Sequence, residues 1–373
     1  MQPIGSRRLT STVMTDGFVE LSIVEETIDD LRAHEVVVRI DAAPVNPSDI
    51  AVLLAGGSVE PGIGSGVAGA GVRLPLGPSA LAGAMLRVGT PLPVGNEGAG
   101  VVIAAGESPQ AAALLGRTVA VLGGGTFAEH VRVPWTACLP FAATTAPRSV
   151  ASAFVNPLTV LAMLDTMRDE GHSAIVHTAA ASNLGQMLVR VGRADDVAIV
   201  NVVRRPEHVT LLRGLGAEHV YDSSSEGFDD ELTDAIAATG ATLAFDAVGG
   251  EMSGRLLVAM ERALLRSGTV YSPYGTTTHK QVYAYGILDP APISVPREVG
   301  MAWGVGGWLL GPYLQRVGVS GLLRLRDRVA AGLHDLFASR YAAEVRLDDL
   351  LDLDVLRAIN GRSTGEKFLI VNP

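Results

Sequence analysis

The sequence predicts an α/β protein in which a doubly wound parallel sheet is joined to a β-rich domain. From residue 174 onward, short apolar strands alternate with helices of about ten residues. This alternation is typical of right-handed βαβ crossovers, which build a parallel sheet with helices on both faces. The first 140 residues instead carry short β-branched segments such as Glu35–Asp41. A length of 373 residues also favours two domains, since one domain usually holds roughly 100–200 residues.

Composition limits the function classes. The chain carries 29 Lys and Arg against 39 Asp and Glu, a net charge of −10, so nonspecific attraction to nucleic acid or to an anionic membrane is not expected. The single cysteine, Cys138, excludes an internal disulfide and a metal cluster built on several thiolates. We expect a soluble, cytoplasmic protein. The N-terminus is too polar for a secretory signal, and five glycines interrupt the longest uncharged stretch, 299–315.

The predicted domains divide the chain at two positions. We expect a β-rich substrate domain over residues 1–145, a dinucleotide-binding domain over 146–290, and a segment 291–373 that partly returns to the first domain. The last predicted strand, Lys367–Val371, could join either domain. The Gly-, Ala- and Pro-rich stretch 61–86 is interpreted as a surface excursion, with a lid as the alternative.

The second domain is predicted element by element from its apolar periodicity. Its strands are predicted at 174–178, 197–203, 218–221, 242–246 and 268–272. Its helices are predicted at 149–168, 183–191, 206–215, 231–238 and 250–265.

The first strand–helix junction of this domain is the most informative motif. The turn 179–185 follows a buried strand and opens a helix, the place where backbone N–H groups and the helix N-terminus bind a pyrophosphate. Only Gly185 remains of the usual glycine set, with Ala179 and Ser182 at the other two places. Taken alone, the motif is equally compatible with a plain strand–turn–helix.

The end of the second predicted strand distinguishes the two nicotinamide cofactors. NAD enzymes keep an acidic residue about 20 residues beyond the turn, where it binds the ribose 2′-hydroxyl. Here the strand ends at Val203 and is followed by Arg204 and Arg205. Two guanidinium groups suit the 2′-phosphate of NADPH. The alternative is a pair of solvated arginines at the start of a loop.

The remaining candidates carry less chemistry. His177 lies inside an apolar strand, which favours a core histidine over a catalytic base. The histidines show no paired metal-ligand spacing, and the Gly-x-Ser-x-Gly motif of a nucleophile elbow is absent. Trp303 and Trp308 are interpreted as packing or subunit-contact residues rather than as a substrate platform.

Six short stretches, taken in order and spacing, carry a resemblance to a known family. They are Val45–Asp49, Gly95–Gly100, Gly125–Glu129, Asn156–Thr159, Leu215–Ala217 and Phe245–Gly250. Over most of its length the chain resembles the medium-chain dehydrogenase/reductase superfamily, and more closely its zinc-free quinone oxidoreductase and enoyl reductase branch. The resemblance implies a Rossmann domain, a GroES-like substrate domain, NADPH as cofactor and a homodimer.

The resemblance also implies chemistry without a metal. Asn96 stands where zinc-dependent members have a histidine, and Cys138 alone cannot supply a structural zinc lobe. The cofactor then carries the chemistry and the protein orients it. A quinone accepts hydride without strong acid catalysis, so no obligatory acid or base is expected and turnover should vary little between about pH 6 and 8.

Site residues follow from the same resemblance. Asn46 is the candidate catalytic residue, near the nicotinamide, and Thr159 borders the nicotinamide ribose. Val248 lies in the loop after the fourth strand, and Tyr274–Gly275 in the loop after the fifth. The implied cofactor-binding set is Thr159, Ala181, Ser182, Asn183, Leu184, Arg204, Arg205, Val248, Tyr274, Gly275 and Lys367.

The predicted function is an NADPH-dependent oxidoreductase that transfers hydride to an electrophilic small molecule, with a quinone as the preferred acceptor. An enoyl or activated-alkene reductase is the alternative on the same scaffold. The stretch Ile50–Gly56 lacks the tyrosine that enoyl-thioester reductases carry after the Asn-Pro motif, which counts against it. A non-catalytic NADPH-binding protein is the alternative from another class.

Overall fold

The structure is a computed structural model that describes residues 2–60, 66–68, 71–267, 272–361 and 367–372, with only the backbone of 66–68 and of residue 267. The chain forms two compact units. The first unit comprises Met1–Val155 and Ser339–Pro373, and the second comprises Asn156–Ala338.

The elements are numbered in chain order. The strands are β1 Ile4–Val13, β2 Phe18–Ile28, β3 Glu35–Pro44, β4 Gly66–Ala68, β5 Gly71–Pro75, β6 Leu92–Pro93, β7 Glu97–Ala105, β8 Thr118–Leu122, β9 His130–Pro134, β10 Cys138–Pro140, β11 Ala174–His177, β12 Ala198–Val203, β13 His219–Asp222, β14 Leu243–Asp246, β15 Lys280–Ala284, β16 Trp303–Gly307, β17 Tyr341–Val345 and β18 Lys367–Val371. The helices are α1 Pro47–Leu54, α2 Pro78–Gly83, α3 Pro109–Ala112, α4 Pro147–Val150, α5 Val155–Asp169, α6 Asn183–Ala194, α7 Pro206–Gly214, α8 Phe228–Thr239, α9 Met252–Ser267, α10 Leu310–Gly332 and α11 Leu353–Asn360.

The first unit is built on two largely antiparallel sheets. One has the order β4-β5-β2-β1-β6, and the other has the order β10-β8-β7-β3-β18-β17 with β9 paired to β3. The terminal strand β18 lies antiparallel to β3, so the returning segment completes this unit. Apolar residues of these strands, of α1 and of the loop before β9 pack into one shared core, which includes Leu9, Leu21, Val38, Leu53, Leu74, Phe127 and Ile370.

The second unit confirms the doubly wound sheet. Its six strands are parallel and lie in the order β13-β12-β11-β14-β15-β16. This is the 3-2-1-4-5-6 order of a dinucleotide-binding Rossmann fold. Helices α8 and α9 cover one face through a core that includes Val176, Val200, Phe228, Leu232, Leu256 and Val282.

Two predicted elements differ from the structure. The predicted helix 149–168 is divided into α4 and α5. The helix is interrupted between Val150 and Val155 because the Glu97 carboxylate accepts the N–H groups of Phe154 and Val155, each at 2.9 Å. The stretch 61–86, outside residues 61–65 and 69–70, contains β4, β5 and α2, and β5 pairs with β2, so part of the predicted surface excursion belongs to a sheet.

The compact units differ from the predicted domain bounds. They change at residues 155 and 338, whereas the predicted domains change at 145 and 290. The segment 291–338 stays with the second unit because β16 extends its sheet and the indole of Trp308 donates to Thr166 Oγ1 at 3.3 Å. Within the described residues one stretch, Pro147–Asp169, is long and apolar enough to cross a membrane, but 89% of it is buried in the protein.

Candidate cofactor site and buried polar cluster

The predicted pyrophosphate turn of the second unit is well ordered by its own hydrogen bonds. Ser182 is the N-cap of α6, and its Oγ accepts the N–H of Gly185 at 3.2 Å. The side chain of Gln186 donates to the Ala181 carbonyl at 3.0 Å. A Cβ at position 185 would lie 2.1 Å from the Ala180 carbonyl oxygen. The one glycine that the sequence retains is therefore the one that the close approach of the helix to the turn requires.

The turn can bind an anion through the start of α6. This helix has 12 residues, and its first N–H groups and positive dipole end favour a phosphate group. Ser182 and Leu184 are partly exposed, whereas Asn183 is buried and its Oδ1 accepts from Asn156 Nδ2 at 3.2 Å. The residues present therefore fit the pyrophosphate of a dinucleotide.

Arg204 and Arg205 lie at the same edge of the sheet as the turn. They follow β12, which is the parallel neighbour of β11, and parallel strands end at one edge. Both side chains are exposed, and Arg205 Nη1 is 3.7 Å from Glu207 Oε1. No other ion pair of either arginine is found among the described residues, which leaves guanidinium groups for a further phosphate.

A buried carboxylate that the sequence reasoning did not single out connects the neighbouring loops. Asp246 ends β14, and its two oxygens accept the hydroxyls of Thr178 at 2.7 Å and Ser253 at 2.6 Å. The same carboxylate accepts the N–H of Val248 at 2.8 Å. Val248 is thus held in the loop after the fourth strand, as predicted. Thr159 lies on α5 and is 7% exposed.

The placement of Tyr274 and Gly275 is corrected by the structure. The strand beside β14 is β15, and both residues precede it. Thr276 N–H and the ammonium of Lys280 both bind the Glu261 carboxylate, at 2.7 and 2.6 Å. Since Lys280 begins β15, Tyr274 and Gly275 lie at the edge where the parallel strands start. The predicted fifth strand, 268–272, falls outside the described residues except for residue 272.

Tyr285 and Gly286 instead follow the strand next to β14. Tyr285 Oη lies 2.7 Å from His177 Nε2, and the two rings stack with centroids 5.7 Å apart. Burial lowers the pKa of His177 to about 3 and raises that of Tyr285. His177 is therefore a neutral core residue, as its apolar strand predicts.

The first unit holds a buried polar cluster around Asn46, which is 1% exposed and caps α1. Its Nδ2 donates to Glu97 Oε1 at 3.0 Å, and its Oδ1 accepts from Lys367 Nζ at 2.7 Å. The Lys367 ammonium is 3.7 Å from the same Glu97 oxygen. Asp49 accepts the N–H groups of Asn46 at 2.7 Å and of Asn96 at 2.8 Å. We call Asn46, Asp49, Glu97 and Lys367 the Asn46 cluster.

Burial shifts the pKa values of two members of the Asn46 cluster, Asp49 and Lys367. Burial raises the pKa of Asp49 to about 7, and the Glu97 carboxylate adds to the shift. Burial lowers the pKa of Lys367, and the two carboxylates oppose that shift. A titrating group thus lies in the pH range where the sequence predicted none. Asp49 and Glu97 both lie in motifs that carry the family resemblance, but nothing in the sequence indicates that Lys367 lies beside Asn46 and Glu97.

Asn96, which the resemblance places where zinc-dependent proteins have a histidine, and the single cysteine both have defined surroundings in the first unit. The Asn96 side chain donates to Ser48 Oγ at 3.0 Å, and Cys138 is buried in β10. Among the residues that the structure describes, no group of three or more His, Cys, Asp and Glu side chains is placed to hold a metal ion. Zinc independence stays a prediction.

Known proteins are similar to this chain over limited lengths. No model of a protein family matches it. It is 29% identical over 283 residues to the mitochondrial enoyl-[acyl-carrier-protein] reductase of Homo sapiens, covering 71% of this chain and 64% of that protein. It is 26% identical over 195 residues to prostaglandin reductase-3 of Mus musculus, covering 49% of this chain and 51% of that protein. The chain therefore spans less than two thirds of these relatives.

A solved structure is similar over nearly the whole chain. A protein from Mesorhizobium loti assigned as an NADPH:quinone reductase superposes with a TM-score of 0.73. The match covers 99% of this chain and 98% of that one, at 22% sequence identity. At this identity the likeness concerns the fold alone.

Proposed function

We propose that this chain is a member of the medium-chain dehydrogenase/reductase superfamily and an NADPH-dependent oxidoreductase. One observation carries the proposal. The turn before α6 fits a pyrophosphate, and the two arginines after β12 lie at the same sheet edge. Rossmann folds that use NADPH bind its ribose 2′-phosphate at this edge. The similar proteins are named as reductases of enoyl, prostaglandin and quinone substrates, and these activities support the same reaction class.

The cofactor contacts are assigned within the second unit. Ala181, Ser182, Asn183 and Leu184 bring backbone N–H groups to the pyrophosphate, and bound NADPH supplies the hydride. The guanidinium groups of Arg204 and Arg205 bind the 2′-phosphate as charge-assisted donors. Thr159 and Val248 complete the proposed set.

In the first unit, Asn46 is proposed as the residue that serves the reaction. Both ends of its amide are fixed, one by Glu97 and one by Lys367. We assign Lys367 as a positioning residue that acts through Asn46, in place of the predicted contact with the cofactor.

Equilibrium binding of NADPH and NADH tests the cofactor assignment. One well-placed charge-assisted hydrogen bond contributes about 1.5–3 kcal/mol, so the loss of one such contact when Arg204 and Arg205 are replaced with Ala should weaken NADPH binding roughly ten- to a hundredfold. NADH, which lacks the 2′-phosphate, should bind nearly as before. Arg213→Ala, at the other end of α7, is the matched control because its side chain is also exposed. Equal weakening of both cofactors would mean that the arginines support only the fold.

A quinone is the proposed acceptor. The argument is chemical: a quinone accepts hydride without a strong acid, and the described residues place no group of three or more His, Cys, Asp and Glu side chains to hold a metal ion. Reduction of an enone is the second candidate, because the human mitochondrial enoyl reductase aligns with 71% of this chain. Product analysis separates the two, since a quinone yields a hydroquinone and an enone yields the saturated ketone.

A further inference from the structure

A pocket of about 580 Å³ opens in the first unit beside α1. Helices α1 and α2, the turn between α1 and β4, and Asn360 at the end of α11 form its walls. All of its lining residues are apolar or glycine except Asn360 and Arg87. Its volume lies in the range of about 300–1,000 Å³ that small-molecule sites occupy.

Arg87 brings a positive charge to this pocket without a counter-charge. Its Nη1 donates to the Val52 carbonyl at 3.0 Å, and its Nη2 donates to the carbonyl and hydroxyl of Ser11 at 3.0 and 2.8 Å. These acceptors are all neutral. Within the described residues no carboxylate pairs with Arg87, and its buried Nε has no hydrogen-bond partner. A guanidinium has five N–H donors, so two remain unused here.

Burial makes this arrangement costly. Desolvation lowers the pKa of Arg87, yet a guanidinium keeps its charge at any ordinary pH. A charge that is partly desolvated and unpaired favours an anionic partner. Apolar walls around a single cation select against a cationic ligand, and they offer too few donors for a multiply charged phosphate.

We propose that this pocket binds a small apolar molecule that carries one carboxylate, with the carboxylate on Arg87 and the apolar body between α1 and α2. Part of the pocket wall, α2, lies within the Gly- and Ala-rich stretch 61–86, which is longer here than the family resemblance leads one to expect, and Arg87 directly follows this stretch. The inference does not rest on the proposed cofactor chemistry, since it concerns residues of the first unit alone.

Titration calorimetry with 2-naphthoate and its uncharged isostere 2-naphthamide, without cofactor, tests the site. We expect 2-naphthoate to bind, and Arg87→Gln to weaken it roughly tenfold or more, as the loss of a charge-assisted hydrogen bond predicts. The variant should leave the weaker 2-naphthamide binding unchanged. Arg117→Gln is the matched control: this arginine is also in the first unit and also bonds a backbone carbonyl, that of Phe141 at 2.8 Å.

Gly83→Leu provides a second variant. A Cβ at position 83 meets no atom within 4 Å, so the leucine fits the fold while it fills the pocket that Gly83 lines. Gly83→Leu should therefore weaken the binding of both 2-naphthoate and 2-naphthamide. Equal affinity of the wild-type protein for the two ligands, no binding of 2-naphthoate, or full binding by Arg87→Gln or Gly83→Leu would overturn the proposal. NADPH binding, measured on the same variants, reports on the proposed function separately.

Discussion

Replacing Lys367 with Met tests whether charge holds the Asn46 cluster together. Methionine keeps an unbranched apolar stem but lacks the ammonium. The substitution removes the hydrogen bond to Asn46 Oδ1 at 2.7 Å and the cation that lies 3.7 Å from Glu97 Oε1. Lys367 is 5% exposed, so water does not replace the lost partner.

The distances give the size of the effect. Two unit charges 3.7 Å apart attract by about 4.5 kcal/mol at an effective dielectric constant of about 20. Desolvation of the ammonium opposes this attraction, and removal of one partner of a buried ion pair typically costs about 3–5 kcal/mol. Glu97 keeps its hydrogen bonds from the N–H groups of Phe154 and Val155 in the variant. These bonds favour a loss at the lower end of this range. We expect a loss of about 3 kcal/mol in the free energy of unfolding at pH 8.

The pH dependence separates charge from packing. The pKa of Asp49 is raised from its ordinary value of 3.8 to about 7. Its contribution to stability is therefore full below about pH 4 and is lost as the pH rises through about 7. The Lys367 charge lowers this pKa, so without it the Asp49 carboxyl binds a proton more readily. The deficit of the variant should shrink by about 1 kcal/mol or more between pH 8 and pH 5.

Urea unfolding at pH 8 and pH 5 measures this difference. Equal deficits at the two pH values would refute the electrostatic account and leave lost packing as the cause. Lys280→Met is the matched control, because Lys280 is a fully buried lysine of the second unit, 2.6 Å from Glu261. It should destabilise the protein and leave turnover unchanged, whereas Lys367→Met should also lower turnover by releasing Asn46.

Three further predictions concern the two units. Ser182→Asp should preserve the N-cap bond to Gly185 and the melting temperature but weaken NADPH binding by repulsion of the pyrophosphate; unchanged affinity would place the pyrophosphate elsewhere. Tyr285→Phe should lower the free energy of unfolding by about 1–3 kcal/mol because buried His177 loses its partner; an unchanged denaturation midpoint would contradict that bond. Elemental analysis should find no stoichiometric zinc, and zinc that survives dialysis, with activity lost on chelation, would disprove the metal-free assignment.

The parallel sheet was predictable because the sequence patterns that indicate its strands and helices are local. The strands β11, β12 and β14 are short, mostly buried and mainly apolar runs, and each is followed by a helix. Gly185 was predictable too, since only one residue type fits against the Ala180 carbonyl. These features depend on neighbours within one strand–turn–helix unit.

The fifth strand and the Asn46 cluster depend on contacts that the sequence does not display. Residues 280–284 contain one β-branched and one aromatic residue, and it is their pairing with β14 that places them in the sheet. Lys367 reaches Asn46 across 321 positions of the chain. The homodimer and the cytoplasmic location likewise depend on partners and surroundings, and they stay predictions.

The initial rate of NADPH oxidation with different acceptors tests the central claim most directly. The acceptors are 1,4-naphthoquinone, 2-cyclohexenone and benzaldehyde, each corrected for the reaction without protein. We expect 1,4-naphthoquinone to be reduced fastest and benzaldehyde slowest, because a missing catalytic acid or base typically costs about 10²–10⁴-fold on unactivated acceptors. Faster reduction of benzaldehyde than of the quinone would contradict the proposed chemistry. Tight NADPH binding with no turnover of any acceptor would indicate a non-catalytic NADPH-binding protein instead.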